Sequence, residues 1–168
     1  MAMERRRRQS NNEGERDRNE FDQKVVEVKR VTRVTAGGKR MRFRALVVIG
    51  DHKGKVGMGL KKGADVSESV NKAVNAAKKS MITLPLVNDT IPHGLNIKYK
   101  SSSLMLKPAK PGTGVIAGGA VRSVMELSGV KNVVCKMLGS NNKVNNVKAV
   151  FAAFKKMKSK ETLFNLRK

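Results

Sequence analysis

The stretch GGKRMRFRALVVIGDHKGKVGMG, residues 37–59, decides how this chain is read. It opens on a glycine pair followed by two cations. From Met41 the residues alternate at first: Met41, Phe43 and Ala45 fall on one side, Arg42 and Arg44 on the other. Successive side chains of a strand point to opposite faces, so this pattern predicts a strand with one apolar and one cationic face. Gly50-Asp51-His52-Lys53-Gly54 reads as a tight turn. Residues 55–60 predict a short further strand whose Gly57 and Gly59 keep its outer side low. Upstream, Val26, Val28, Val31 and Val34 form a β-branched run punctuated by Lys29, Arg30 and Arg33, the mark of a half-exposed strand.

Downstream, Asp65 opens a helix, with Glu68 three residues later as in a capping box. Val66, Val70, Ala73, Val74, Ala77 and Met81 recur at helical spacing and form one apolar stripe. Lys78 and Lys79 fall where the helix dipole favours cations. Residues 21–84 therefore read as a three-stranded antiparallel sheet covered by one helix. Pro85 and Pro92 bracket a boundary, and residues 85–160 form a second unit. Its pattern predicts strands near 95–101 and 103–107, a Gly-rich loop over 108–119, and a helix over 120–128 ended by Gly129. A strand over 132–137 and a helix over 145–158 follow, the latter with Val147, Val150, Phe151 and Phe154 as its stripe. The fold class is α+β in two small domains. Residues 1–20 are almost wholly polar or charged and are expected to be disordered in the free protein. Residues 161–168 are a tail.

Charge narrows the function. Thirty-six Lys and Arg stand against thirteen Asp and Glu in 168 residues, a formal net charge of +23. The excess is only +1 over residues 1–20, but +10 over 21–85 and +12 over 86–168. Both folded halves thus seek polyanions, and nucleic acid is the densest of these, bound through counterion release. With five Phe, one Tyr and no Trp, the chain lacks the rings that stack unpaired bases, which favours backbone and shape recognition. The single Cys135 lies in an apolar run and reads as a buried structural thiol compatible with a reducing cytosol. No stretch approaches the length of a membrane span.

The cations around the glycine pair form the expected phosphate-binding edge: Gly37, Gly38, Lys39, Arg40, Arg42 and Arg44, with a solvated hairpin tip as the alternative. Arg33, Lys53, Lys55, Lys61 and Lys62 extend that edge. In the second unit Lys107, Lys110, Thr113, Asn141, Asn142 and Lys143 are the expected RNA contacts. The run PGTGVIAGGA, residues 111–120, carries neither a Walker nor a dinucleotide fingerprint. It admits three readings: backbone packing, an RNA phosphate held at the helix start, or a small nucleotide. His52 and His93 have no ligand partners at metal spacing, and no catalytic constellation or cofactor motif is visible. Glu126 lies one turn from Arg122, the spacing of an intrahelical ion pair.

Four segments in order, VTAGGKRMRFRALVVIGD (34–51), GKVGMG (54–59), GTGVIAGGAVRSVM (112–125) and LGSNN (138–142), closely resemble bacterial small-subunit ribosomal protein S-five. The likeness spans residues 20–160, leaving out the N-terminal extension and the last few residues. It implies a first domain like a double-stranded-RNA-binding module and a second built on a β-α-β unit with a left-handed crossover. It also implies a non-enzymatic constituent of the cytoplasmic ribosome that binds small-subunit ribosomal RNA near the decoding region. The implied protein contacts are the neighbouring proteins S-four and S-eight. The family further lines the messenger RNA entry path and contributes to translational accuracy and subunit assembly. By motif position, Gly114 and Arg122 fall in the family's protein interface and fidelity region. The family usually carries a basic residue before Gly-Gly; here it is Ala36, and Lys39, Arg40, Arg42 and Arg44 are expected to supply that charge. Two other functions fit less of the sequence: a free RNA chaperone or nonspecific nucleic-acid binder, and a small-molecule kinase, since the family's second domain is similar in fold to some of these.

Overall fold

The structure, a computed structural model, describes residues 21–158. The expected disorder of residues 1–20 and the tail at 161–168 lie outside the described residues. The first domain contains β1 (Asp22–Thr35), β2 (Gly38–Gly50), β3 (Lys55–Gly63), α1 (Val66–Lys78) and β4 (Met81–Thr83). Its sheet runs β1-β2-β3-β4, antiparallel throughout. The second domain contains β5 (Leu95–Tyr99), β6 (Ser102–Pro108), β7 (Val115–Ile116), α2 (Gly119–Leu127), β8 (Val133–Met137) and α3 (Lys143–Lys156). Its sheet runs β5-β6-β8-β7, with β7 and β8 parallel and joined through α2 in a β-α-β unit.

The sequence pattern accounts for most of this. The alternation from Met41 continues through a wholly buried run, Ala45 to Ile49. Ala45, Val47 and Ile49 pack with Ala73 and Ala77 of α1. The opposite face, Leu46 and Val48, joins Val56 in a core cluster shared with Val121, Val124, Leu127, Val150 and Phe154 of the second domain. A strand buried on both faces reads as a continuous apolar run. The first sheet is therefore sandwiched between its own helix and the second domain. The connection between domains is part of that packing: Leu84 and Ile91 are buried in the shared cluster. Asn88 and Asp89, with φ of 50° and 61°, make a two-residue turn closed by paired Val87 and Thr90. The carbonyl of Asp89 accepts the amides of Lys131 and Asn132 at 2.9 and 3.1 Å, which ties the connection to β8.

Four local expectations are corrected. The first sheet has four strands, because Met81 leaves the helical stripe and pairs with Gly57 in β4. The chain changes direction at Ser80, whose hydroxyl donates to the Met58 carbonyl at 2.9 Å. Gly57 and Gly59 lower the inner side of β3, not the outer: a Cβ at Gly57 would lie 3.1 Å from the Ala77 carbonyl carbon, and one at Gly59 2.7 Å from that of Ala73. Their absence of side chains lets α1 rest directly on the strand. The capping box at Asp65 is rearranged. Glu68 accepts the Ala64 amide at 2.6 Å and pairs with Lys72, while Asp65 takes the Ser67 hydroxyl at 2.8 Å. Finally, Val115 and Ile116 turn part of the Gly-rich stretch into a strand.

The seam between the domains depends on the two turns that meet there. The amide of His52 donates to the Leu127 carbonyl at 3.1 Å, and that of Gly54 to the Ser128 carbonyl at 3.0 Å. These bonds satisfy carbonyls that the end of α2 would otherwise leave orphaned. Gly129 follows with a φ of 81°, in the left-handed region that ends many helices on glycine. A Cβ on Gly129 would run into the His52 carbonyl, and one on Gly50 into the Leu127 carbonyl. Lys24 of β1 reaches Glu126 at 2.9 Å across the same seam. Arg122 and Glu126, expected to pair within their helix, are thus separately engaged. Lys24, 102 residues away in sequence, takes the carboxylate.

Candidate nucleic-acid interface

The long hairpin outruns the rest of its sheet. β3 pairs with β2 only from Phe43 inward, so residues 31–42 form a two-stranded ribbon that projects alone. Cross-strand partners share a face, and the register decides what that face presents. Arg33 stands opposite Arg40, Val31 opposite Arg42, and Lys29 opposite Arg44. Lys62 of β3 continues the last row, being the partner of Arg44. Six cations, Lys29, Arg33, Arg40, Arg42, Arg44 and Lys62, therefore occupy one face across three strands. Among the described residues one carboxylate answers them there: Glu27, 3.4 Å from Lys29 and 3.9 Å from Arg44. Like charges directly opposed on a ladder repel. The ribbon keeps its register and still carries the Arg33–Arg40 row, so the surface is suited to a polyanion that bridges the rows.

The reverse face of the ribbon is mixed. Lys39 pairs with Val34, which is 71% exposed, and Met41 with Thr32. Ala36 and Gly37 make the two-residue turn, Gly38 opens β2 opposite Thr35, and Thr35 donates its hydroxyl to the Gly38 carbonyl at 3.0 Å. Of the expected edge, Arg40, Arg42 and Arg44 share one face with Arg33 and Lys62, Gly37 and Gly38 lie at its tip, and Lys39 stands on the reverse face. Lys61 does not share the cationic face; it pairs with Ala45, on the face that α1 covers farther in. Lys53 and Lys55 stand at the other end of the sheet, in the turn beside the domain seam and opposite Thr83. Their amides serve the turn, both donating to Asp51 at 2.8 and 2.9 Å.

In the second domain the expected contacts divide between two ends of the sheet. Lys107 pairs with Val134, and Lys110 and Thr113 follow in the loop beyond β6. The Thr113 hydroxyl and amide both donate to the Lys110 carbonyl, at 2.8 and 3.2 Å. Asn141, Asn142 and Lys143 lie beyond the far end of β8, near Ser101. Asn142 has a structural task there: its side chain accepts the Val144 amide at 3.1 Å and caps α3.

Gly114 and Arg122 do come together. Gly114, φ 76°, donates its amide to the Asn132 side chain at 3.2 Å and accepts from Val133 at 3.1 Å. Arg122 donates through Nη2 to the carbonyl of Val115 at 3.1 Å. Its guanidinium pins the two-residue strand β7 to the first turn of α2. Of the three readings of the Gly-rich stretch, backbone packing and turns describe what these residues do. Cys135 is buried within β8 of this sheet, and desolvation pushes its thiol up to about 12. Among the described residues no cluster of three or more His, Cys, Asp or Glu could hold a metal ion. No helix there is long and apolar enough to cross a membrane.

Sequence reasoning missed two features of this surface. Lys29 belongs to the cationic face through the hairpin register, which a propensity pattern does not reveal. Glu27 lies on the same face by plain alternation with Lys29, opposite Leu46, and the irregularity in the pairing falls between it and Val25.

Comparison with known proteins divides the chain at the same place. Residues 21–85 match the family described as Ribosomal protein S5, N-terminal domain. Residues 97–167 match Ribosomal protein S5, C-terminal domain, so the likeness reaches nearer the end of the chain than the four motifs do. The chain is 49% identical over 150 residues to the small ribosomal subunit protein uS5c of Spinacia oleracea. That alignment covers 89% of this chain and 49% of the relative, so the chain spans about half the length of the curated relative it matches. Two family matches in consecutive order, each laid over one of the two domains that share a core, show that the chain belongs to the ribosomal protein S5 family.

Proposed function

We propose that this chain is a structural, non-catalytic RNA-binding constituent of the small ribosomal subunit. The observation that carries this reading is the hairpin face on which Arg33 opposes Arg40, flanked by Arg42, Arg44 and Lys62. An A-form duplex offers phosphates and 2′-hydroxyls across a shallow groove, and a rigid cationic ribbon meets such a surface without reading bases. The ribbon, the loop of Lys107 and Lys110, and the end of β8 near Lys143 grip separate RNA segments. The shared core fixes their spacing.

Family resemblance supports the finer reading: contact with ribosomal RNA near the decoding region, with proteins S-four and S-eight, and with the messenger RNA entry path. In that reading Gly114 and Arg122 shape a protein interface that biases translational accuracy. The bias is a shift between two arrangements of the interface, without chemistry of its own.

Cosedimentation tests the central claim. The chain is expected to remain on small subunits through moderately high salt and, when free, to prefer duplex RNA over duplex DNA. A chain that leaves the subunits steeply with salt and shows no such preference is a nonspecific binder, and the reading fails. The finer claim is tested by Arg122→Glu, which is expected to change miscoding in a reporter assay while subunits still assemble. An unchanged error frequency counts against it.

A further inference from the structure

His52 occupies the turn between β2 and β3 with a φ of 56°, a left-handed conformation that Gly, Asn, Asp and His adopt more readily than other residues. Its ring lies across the domain seam. Nδ1 is 2.9 Å from the carbonyl oxygen of Glu126, in the second domain. Nε2 is 2.9 Å from Oδ2 of Asp22, at the start of β1. Both neighbours are acceptors: a carbonyl has no proton to give, and an ionised carboxylate has none either. A neutral imidazole donates from one nitrogen and presents a lone pair at the other. Only the doubly protonated ring can donate to both partners at once.

We propose that His52 is a proton-dependent latch between the two domains, closed by the imidazolium and loosened when it gives up its proton. Asp22 faces the ring from β1, and the carbonyl end of α2, which carries partial negative charge, faces it from the second domain. Two other carboxylates are nearby but otherwise engaged. That of Glu126 holds Lys24 at 2.9 Å, and that of Asp51 accepts the amides of Lys53 and Lys55. Two fixed cations, Lys24 of β1 and the adjoining Lys53, oppose the charged ring, and Lys24 is matched by Glu126.

The sign follows from these partners. In the neutral ring, a proton kept on Nδ1 turns a lone pair towards the Asp22 carboxylate. A proton kept on Nε2 turns one towards the Glu126 carbonyl and breaks the contact between domains. The latch therefore holds through both bonds while the ring is doubly protonated. As pH rises through the range, about 5 to 8, in which imidazoles change charge, the carboxylate, as the stronger acceptor, keeps the remaining proton on Nε2 and the bond to the second domain loosens. The His52 and Asp22 side chains are 49% and 77% exposed, so solvent screens the effect. The change expected in the opening equilibrium is about two- to five-fold. Its consequence is a pH-dependent tolerance in how rigidly the two cationic domains are held relative to each other.

Two measurements on the full chain, free of RNA, test this between pH 5.5 and 8. Long-range 1H–15N spectra of histidine-labelled protein report the charge of each ring. Amide exchange at His52 and Gly54, normalised to intrinsic rates, reports the seam. The parent is expected to lose about two- to five-fold protection as the His52 ring becomes neutral. His52→Asn retains a residue suited to the left-handed backbone, and its protection is expected to be flat with pH. Asp22→Asn removes an exposed charge without touching the core and is expected to show less than half the parent response. A flat parent profile overturns the proposal. So does a response of parental size in either variant, since His93, the other histidine, or general loosening would then be its source.

Discussion

Replacing Gly50 by alanine tests whether the two domains share one folded unit. Gly50 is buried at the end of β2, and an added Cβ would overlap the Leu127 carbonyl oxygen. It would also stand 2.7 Å from the Leu127 carbonyl carbon and 2.9 Å from its Cβ. Carbon atoms pack best at about 3.5–4.0 Å, so the end of α2 must retreat by roughly 1 Å. That retreat stretches the His52–Leu127 and Gly54–Ser128 bonds, now 3.1 and 3.0 Å, past the useful range. Overpacking of this kind costs about 1–3 kcal/mol, and each lost hydrogen bond about 0.5–1.5 kcal/mol. A loss of about 3 kcal/mol corresponds to a fall in melting temperature of about 6–12 °C for a protein of this size. Gly37→Ala is the matched control: nothing lies within 4 Å of a Cβ there. Its melting point is expected to stay within about 2 °C of the parent. Circular dichroism melts of the three proteins decide the matter. A Gly50→Ala melt within about 2 °C of the parent, or a Gly37→Ala melt falling as far as that of Gly50→Ala, refutes the argument.

Three further outcomes follow from the geometry. Substituting Lys39, Arg40 and Arg42 together by glutamine is expected to flatten the log–log salt dependence of duplex RNA binding by about 2–3 units; an unchanged slope removes the ribbon from the interface. Asn142→Ala is expected to destabilise the chain by about 1 kcal/mol through loss of the α3 cap, whereas Asn142→Asp keeps the cap and the stability; weaker RNA binding by the aspartate variant alone identifies Asn142 as an RNA contact as well. Burial raises the Cys135 thiol from its ordinary 9.0 to about 12. The folded state therefore holds its proton where the unfolded chain has lost it, and this contribution to stability is complete below pH 9 and lost on rising towards pH 12. A thiol reagent at pH 8 is expected to label Cys135 only in denaturant, and rapid labelling of the native protein contradicts its burial.

The parts of the fold legible in the sequence are those with a strong local period. The alternation from Met41 and the stripe from Val66 to Ala77 predicted a strand and a helix where each is found. Three residues of β4 and two of β7 are too few to establish any period, so their pairing had to come from tertiary contacts. The Arg122–Glu126 spacing was a sound local argument, overruled by Lys24 reaching Glu126 from the other domain. For the interface, composition identified a cationic hairpin, but which cations share a face depends on register. Register brings Lys29 and Lys62 into line with Arg44 and leaves Lys53 and Lys55 at the far end of the sheet. Asn142 shows the reverse case: a polar residue expected to contact RNA is also the cap of a helix.

The sandwiching of the first sheet has a consequence for how the chain is made. Leu46, Val48 and Val56 find their cover in Val121, Val124, Val150 and Phe154, which emerge from the translating ribosome long after them. Until α3 is synthesised, the nascent first half holds one greasy sheet face open to its surroundings while already displaying its cationic hairpin. Early engagement of that hairpin by nucleic acid would keep such chains soluble and apart, and a protein fragment cut between the halves would need the same protection.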